Sequence, residues 1–317
     1  GLLSILNMSS LDKIQLNAEG GDLLFLKICL AFILFSLAID IKKEDFKTLF
    51  THPKSVLIGC LSQMVVLPLL TFLLILILQP PASIAMGMLL VAACPCGNMS
   101  TYISYIARGF VPLSITITAI STLSASITTP FNFYFYSSHY TPAKAALQEI
   151  HLSFSYLLQT ISLLLVLPLA IGMFFKTKFP TWTMHINRPV KTIALLLFLI
   201  FLIGAFLKNR TIFVAHISQL FWYVFIQNVL AFFVGYIFPR LFNINKTHSR
   251  SISIETGIHN SGLGLILVLT FFNGNGGMAL IAAWWGIWHI IAGMALALFL
   301  RKTAIPVVVS EEQSLVL

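Results

Sequence analysis

The chain has 317 residues, of which 58% are apolar and only 9% charged. A soluble domain carries about 25% charged residues, so this composition excludes a soluble globular fold and a disordered chain and points to an all-α polytopic membrane protein. The formal charge of +9 gives no reason to expect nucleic acid, because basic residues of membrane proteins gather in cytoplasmic loops.

A bilayer-crossing helix needs about 20 mostly apolar residues. Residues 1–21 carry Asp12, Lys13, Gln15, Asn17 and Glu19. They read as a polar N-terminal segment that neither spans nor shows a cleavage-site pattern. Nine transmembrane helices are then expected between polar breaks: A (22–41), B (53–79), C (83–107), D (111–136), E (149–175), F (188–207), G (211–240), H (249–272) and I (277–301). Residues 302–317 read as a short tail. Of the 19 Lys and Arg residues, fourteen fall in the loops that hold Lys42, Arg108, Lys176, Arg240 and Arg301, and five on the other side. The positive-inside rule places the richer side in the cytoplasm, with the N-terminus outside and the C-terminus cytoplasmic, as an odd number of spans requires.

Most spans are plain runs of Leu, Ile, Phe, Val and Ala. Span C reads LLVAACPCGNMSTYISYIARG, with Pro95 and Gly97 at mid-depth, and span H reads SISIETGIHNSGLGLILVLTFF, with Glu255, Gly257, His259, Asn260 and Ser261 in its middle. Proline removes a backbone donor and glycine permits irregular geometry, so both spans are expected to be discontinuous. Unwound backbone is tolerated in a bilayer only inside protein or along a water-filled cavity, and a pair of broken spans points to a transporter site at the midplane. Asn98 and Asn260-Ser261 open the second halves of the broken spans, where free N–H groups attract anions, while freed carbonyls and Glu255 attract a cation. Small polar residues also let helices pack closely, which accounts for Gly262 and Gly264 but not for Glu255. Of the ten acidic residues, Glu255 alone falls well inside a span, where a carboxylate costs at least about 2.5 kcal/mol. Cys94 and Cys96 have no second Cys or His pair near them in sequence and suggest no metal centre.

The stretches ACPCGNMSTYISYIARG, PLSITITAISTLSASITTP and IETGIHNSGLG, with HPKSVLIGCLSQMVVLPLL in span B, resemble the bile acid:sodium symporter family over most of residues 22–301. The resemblance implies inverted repeats, two crossing discontinuous helices (spans C and H), and a core domain beside a smaller panel. The chain is similar to the nine-span form, with the first helix of repeat one missing, so that A pairs with F, B with G, C with H and D with I. The core would then cover about 53–136 and 211–301, and the panel about 22–41 and 149–207.

The same resemblance implies sodium ligands. Ser100, Ser114, Thr118 and Glu255 match the family's first site, with Thr101 standing where the family has Asn. Gln63 and Glu255, with the carbonyls of Thr256 and Ile258, match the second, and His259 stands where the family has Gln. Imidazole offers nitrogen in place of a hard oxygen ligand, and it titrates in the physiological range. Two readings therefore stand for His259: a weakened sodium site with a proton or fixed charge in its place, or a hydrogen bond to Glu255 beside a sodium still held by carbonyls. Asn98, Asn260 and Ser261 match the polar starts of the half-helices that face the substrate. His289 matches a position near the substrate, although a histidine among Trp284, Trp285 and Trp288 also suits plain packing. Gln227 and Asn228 are polar at depth and suit interhelical hydrogen bonding equally well.

The resulting expectation is a secondary active transporter of an organic anion, carboxylate or bile-acid-like, working by cation symport and alternating access. One or two co-transported sodium ions, no cofactor, and function as a monomer in the lipid bilayer are expected. A sodium-independent or proton-coupled carrier is the alternative. An intramembrane enzyme would need a nucleophile and base, two aspartates or an HExxH pair, none of which is present, and no filter repeat suggests a channel.

Overall fold

The computed structural model describes residues 20–97, 99–149, 153–208 and 210–303. Most of the expected N-terminal segment, nearly all of the tail, and Asn98 lie outside these residues. Among the described residues all regular structure is helical apart from one isolated bridge.

Span A is α1 (Gly20–Asp40). A 3-10 turn (Lys43–Phe46) and α2 (Lys47–Thr51) lead into span B, which consists of α3 (Pro53–Leu61), a π turn (Ser62–Val66) and α4 (Leu67–Leu78). Span C is split into α5 (Ala82–Ala93) and α6 (Met99–Ile106), and span D is α7 (Val111–Ser138). A short helix that the hydropathy pattern did not announce, α8 (Thr141–Glu149), occupies the D–E connection. Spans E, F and G are α9 (Phe154–Lys178), α10 (Pro180–Lys208) and α11 (Arg210–Leu241). Span F thus begins about two turns before its apolar run, because Pro180 is preorganised for the first helical position and its missing N–H costs nothing there. Span H is split into α12 (Lys246–Gly257) and α13 (Ser261–Phe271), and span I is α14 (Gly276–Lys302). The helices of spans B, D, E, G and I are long and apolar enough to cross a membrane.

α1 packs against α9 and α10, and meets the remaining helices through α9 on α7 and α13 on α1. α12 lies between α11, α6 and α7, while α14 runs beside α5, α13 and α11. The two breaks meet at the centre of this second group. Cys96 and His259 form an antiparallel bridge, with Gly97 N–H donating to the Ile258 carbonyl at 3.1 Å and Asn260 N–H to the Pro95 carbonyl at 2.8 Å. Each unwound segment therefore satisfies part of the other, as buried backbone requires. Gly97 is required by the closeness of this crossing, since a Cβ there would lie 3.0 Å from the His259 carbonyl oxygen.

Side chains take up further backbone groups at and near the breaks. The Ala93 carbonyl accepts from Thr129 Oγ1 at 2.8 Å, that of Cys94 from Gln63 Nε2 at 2.9 Å, and that of Gly257 from Asn228 Nδ2 at 2.9 Å. Asn132 Nδ2 donates at 2.8 Å to the carbonyl of Met64, inside the π turn. Gln227 Nε2 donates to the Met88 carbonyl at 2.9 Å and to Thr71 Oγ1 at 3.2 Å. Both amides of span G thus join helices, one of the two roles their sequence positions allowed.

α11 and α12 approach so closely that a methyl on Gly235 would lie 2.8 Å from Ser253 Cα and 2.7 Å from Thr256 Cβ. Overpacking of this kind costs about 1–3 kcal/mol. Gly235→Ala is expected to lower the midpoint of thermal unfolding in detergent; an unchanged midpoint would show that the two helices slide apart freely.

Candidate functional site

Glu255 is fully buried near the end of α12, just before the break. Its Oε1 accepts from Ser114 Oγ, and its Oε2 accepts from Thr118 Oγ1 at 2.8 Å. Ser114 and Thr118 stand one turn apart on α7 and so share a face. Ser100 Oγ lies 3.3 Å from Thr118 Oγ1, and Thr101 Oγ1 lies 3.4 Å from Ser114 Oγ. The first turn of α6 thus completes a cluster of four hydroxyls around one carboxylate, bringing together Ser100, Thr101, Ser114, Thr118 and Glu255. Among the described residues no Lys, Arg or His side chain bonds to that carboxylate. An acid held this deep by neutral hydroxyls is a site with room for positive charge.

The second group of expected ligands is only partly assembled. Gln63, in the π turn of span B, uses its Nε2 on the Cys94 carbonyl and leaves Oε1 buried without a partner. Thr256 Oγ1 donates to the Ile252 carbonyl at 2.7 Å and lies 2.9 Å from Ser62 Oγ. The Ile258 carbonyl already accepts the Gly97 N–H. His259 is 1% exposed, and neither ring nitrogen has a partner among the described residues. Its ring packs on Trp285, with centroids 5.8 Å apart, and makes no hydrogen bond to Gln63 or Glu255.

A cavity of about 840 Å³ runs from Lys42 and Asp45 at one mouth to His259 and His289 at its inner end, passing Thr101 and Thr118. Ser261 also lines it. Asn260 lines it too, but its Oδ1 is engaged in capping α13, accepting from Leu263 N–H at 3.0 Å. The Ser261 N–H bonds to the His259 carbonyl at 2.9 Å. Two donors of this helix start are therefore consumed internally, so it offers fewer free N–H groups than the sequence suggested. His289 is buried beside Trp285, with ring centroids 6.4 Å apart, whereas Trp288 packs with Phe221 and Phe225. Asn98, the remaining expected substrate contact, lies outside the described residues.

Two participants escaped the sequence reading. Ser121 accepts the Cys96 N–H at 3.2 Å, and the Cys96 thiol donates to the Glu255 carbonyl at 3.4 Å. Ser121 was within reach, because Ser114, Thr118 and Ser121 repeat at helical spacing along span D. The Cys96 contact depends on the crossing and has no sequence signal.

Crossed broken helices around a buried carboxylate, on a chain of long apolar helices, define a multi-pass integral membrane transporter. Residues 27–216 match the family described as the sodium bile acid symporter family. Over 278 residues the chain is 28% identical to a Bacillus subtilis (strain 168) protein described as an uncharacterized sodium-dependent transporter, YocS; the match covers 88% of this chain and 83% of that protein. It is 31% identical over 275 residues to a probable chloroplastic sodium/metabolite cotransporter of Arabidopsis thaliana, BASS1, covering 87% of this chain and 66% of that one. It is 28% identical to the human P3 protein, covering 78% of this chain and 51% of that protein. The chain therefore spans about two thirds of the plant relative and about half of the human one. It belongs to the sodium bile acid symporter family, a family of transporters rather than enzymes.

Loss of the α13 cap should be separable from any effect on ligand. Asn260→Ala is expected to lower thermal stability by about 0.5–2 kcal/mol without added anion, and Asn260→Ser to retain most of it. Equal losses in the two variants would contradict the capping role.

Proposed function

We propose that the protein is a secondary carrier that moves an organic anion, carboxylate or bile-acid-like, together with sodium by alternating access. The observation that carries this reading is the Glu255 carboxylate, buried among the hydroxyls of Ser100, Thr101, Ser114 and Thr118. A hard cation takes oxygen ligands, and this cluster offers a charge and four hydroxyl oxygens drawn from three helices. The descriptions of the Bacillus and Arabidopsis relatives, sodium-dependent transporter and sodium/metabolite cotransporter, favour sodium as that cation. The competing proton-driven reading needs His259 beside Glu255, and the ring of His259 lies on Trp285 instead.

Coupling follows from shared residues. Thr101 and Thr118 belong to the hydroxyl cluster and also line the cavity. Sodium binding would neutralise Glu255, turn these hydroxyls toward the ion, and fix α6, α7 and α12 in one arrangement. If the anion binds that arrangement best, each ligand raises the affinity of the other by the same factor. The group α1, α9 and α10 would be the panel, and the helices around the crossing the core that rocks against it. In this reading the nine spans form inverted repeats. The N-terminus is outside, the cavity mouth at Lys42 faces the cytoplasm, and the carrier works as a monomer.

A thermal-shift screen of organic acids, with and without sodium, identifies the anion, because ligands of the folded state raise its apparent stability. For the acid so found, Glu255→Gln is expected to reduce sodium-dependent uptake into proteoliposomes at least about tenfold, a loss of about 1.4 kcal/mol or more, while the protein still inserts. Unchanged uptake at limiting sodium would remove Glu255 from the mechanism.

A further inference from the structure

We propose that His259 is a substrate ligand rather than a sodium ligand, and that the carrier consequently moves one sodium ion with each monoanion. This rests on the sodium-coupled organic-anion reading above and specifies the recognition group and the stoichiometry of that site.

The inner end of the cavity is lined by two buried imidazoles, His259 at 1% and His289 at 4% exposure. Both pack against Trp285, with ring centroids 5.8 Å and 6.4 Å from the indole. Both nitrogens of His259 lack partners among the described residues. Buried polar groups are normally paired, and an unpaired one marks a place where something else binds. A neutral imidazole has one N–H donor and one acceptor nitrogen, and it selects its tautomer to suit the partner. Both rings line the same cavity, and two such imidazoles suit the oxygens of one carboxylate. The helix start at Ser261 adds little competition, since its Ser261 and Leu263 N–H groups are already bonded.

The same placement takes a side chain away from the second group of sodium ligands. Gln63 gives one orphaned oxygen there, and the Ile258 carbonyl is shared with Gly97. The Glu255 carboxylate is committed to the four-hydroxyl cluster. One fully assembled site implies one ion, and one sodium with one monoanion carries no net charge across the membrane.

The test uses the full chain, purified and reconstituted, with three monoanionic probes: cholate below its micellar concentration, benzoate and 2-oxoisovalerate. For whichever probe raises thermal stability in sodium, the sodium dependence of that shift is expected to have a Hill coefficient near one. Uptake of the probe should ignore a potential imposed with potassium and valinomycin. His259→Gln is expected to weaken probe affinity about tenfold, as removal of a charge-assisted hydrogen bond does. It should also move the Hill coefficient toward two and make uptake respond to potential, because the amide oxygen is a sodium ligand. A Hill coefficient near two with potential-driven uptake in the unaltered protein would overturn the assignment and leave the anion reading standing. So would a His259→Gln variant with unaltered probe affinity. Binding of none of the probes, with sodium alone still raising stability, would overturn the organic-anion reading and this assignment with it.

Discussion

Two stretches of unwound backbone lie deep in a chain otherwise built of long apolar helices, and they are tolerable there because they pair with each other. The crossing of Pro95–Gly97 with Ile258–Asn260 supplies two backbone hydrogen bonds, and Thr129, Gln63, Ser121 and Asn228 take up neighbouring backbone groups. In hydrocarbon each unsatisfied group would cost several kcal/mol. The polar side chains that ring the crossing are accordingly a structural requirement of the break. The crossing also fixes the site, for it seats the start of α6 and the end of α12 side by side, where Ser100, Thr101 and Glu255 converge with the face of α7.

From this constraint follows the economy of the site. Among the described residues Glu255 is the one fully buried carboxylate, and in the proposed mechanism its countercharge would be an ion brought from outside the protein. The hydroxyls around it belong to helices that also wall the cavity, with Thr101 and Thr118 facing both. In the proposed mechanism an ion at Glu255 and an anion in the cavity would act on the same few side chains, and a two-state arrangement of α6, α7 and α12 would be enough to couple them. No long-range pathway is required.

The breaks and the acid were legible in the sequence because each violates a strong rule. Pro95 and Gly97 sit inside a span, Gly257 and Glu255 inside another, and charge is so scarce that one carboxylate at depth stands out. Resemblance supplied Ser100, Thr101, Ser114 and Thr118, and the structure gathers all four at Glu255. Features fixed only by tertiary contact were not legible. The π turn at Ser62–Val66 carries no signature, since the bonds of Gln63 to Cys94 and of Asn132 to Met64 depend on other helices. The short α8 is too polar to register as a span. Asn260 looked like a donor for an anion because capping residues and anion sites share a helix terminus; which role it takes depends on whether its Oδ1 folds back onto Leu263, as it does. The direction of His259 is set by the register of its bridge with Cys96, and spacing alone cannot supply it.

The account rests on the Glu255 cluster as a cation site, and equilibrium binding of radioactive sodium to the purified protein tests that claim most directly. Saturable binding is predicted in the unaltered protein. Thr118→Val, which keeps the side chain's shape and removes one oxygen, should weaken it about tenfold, as loss of a hydrogen-bonding partner to a charged group does. Absence of saturable sodium binding, or binding that Thr118→Val leaves unaltered, would contradict the account.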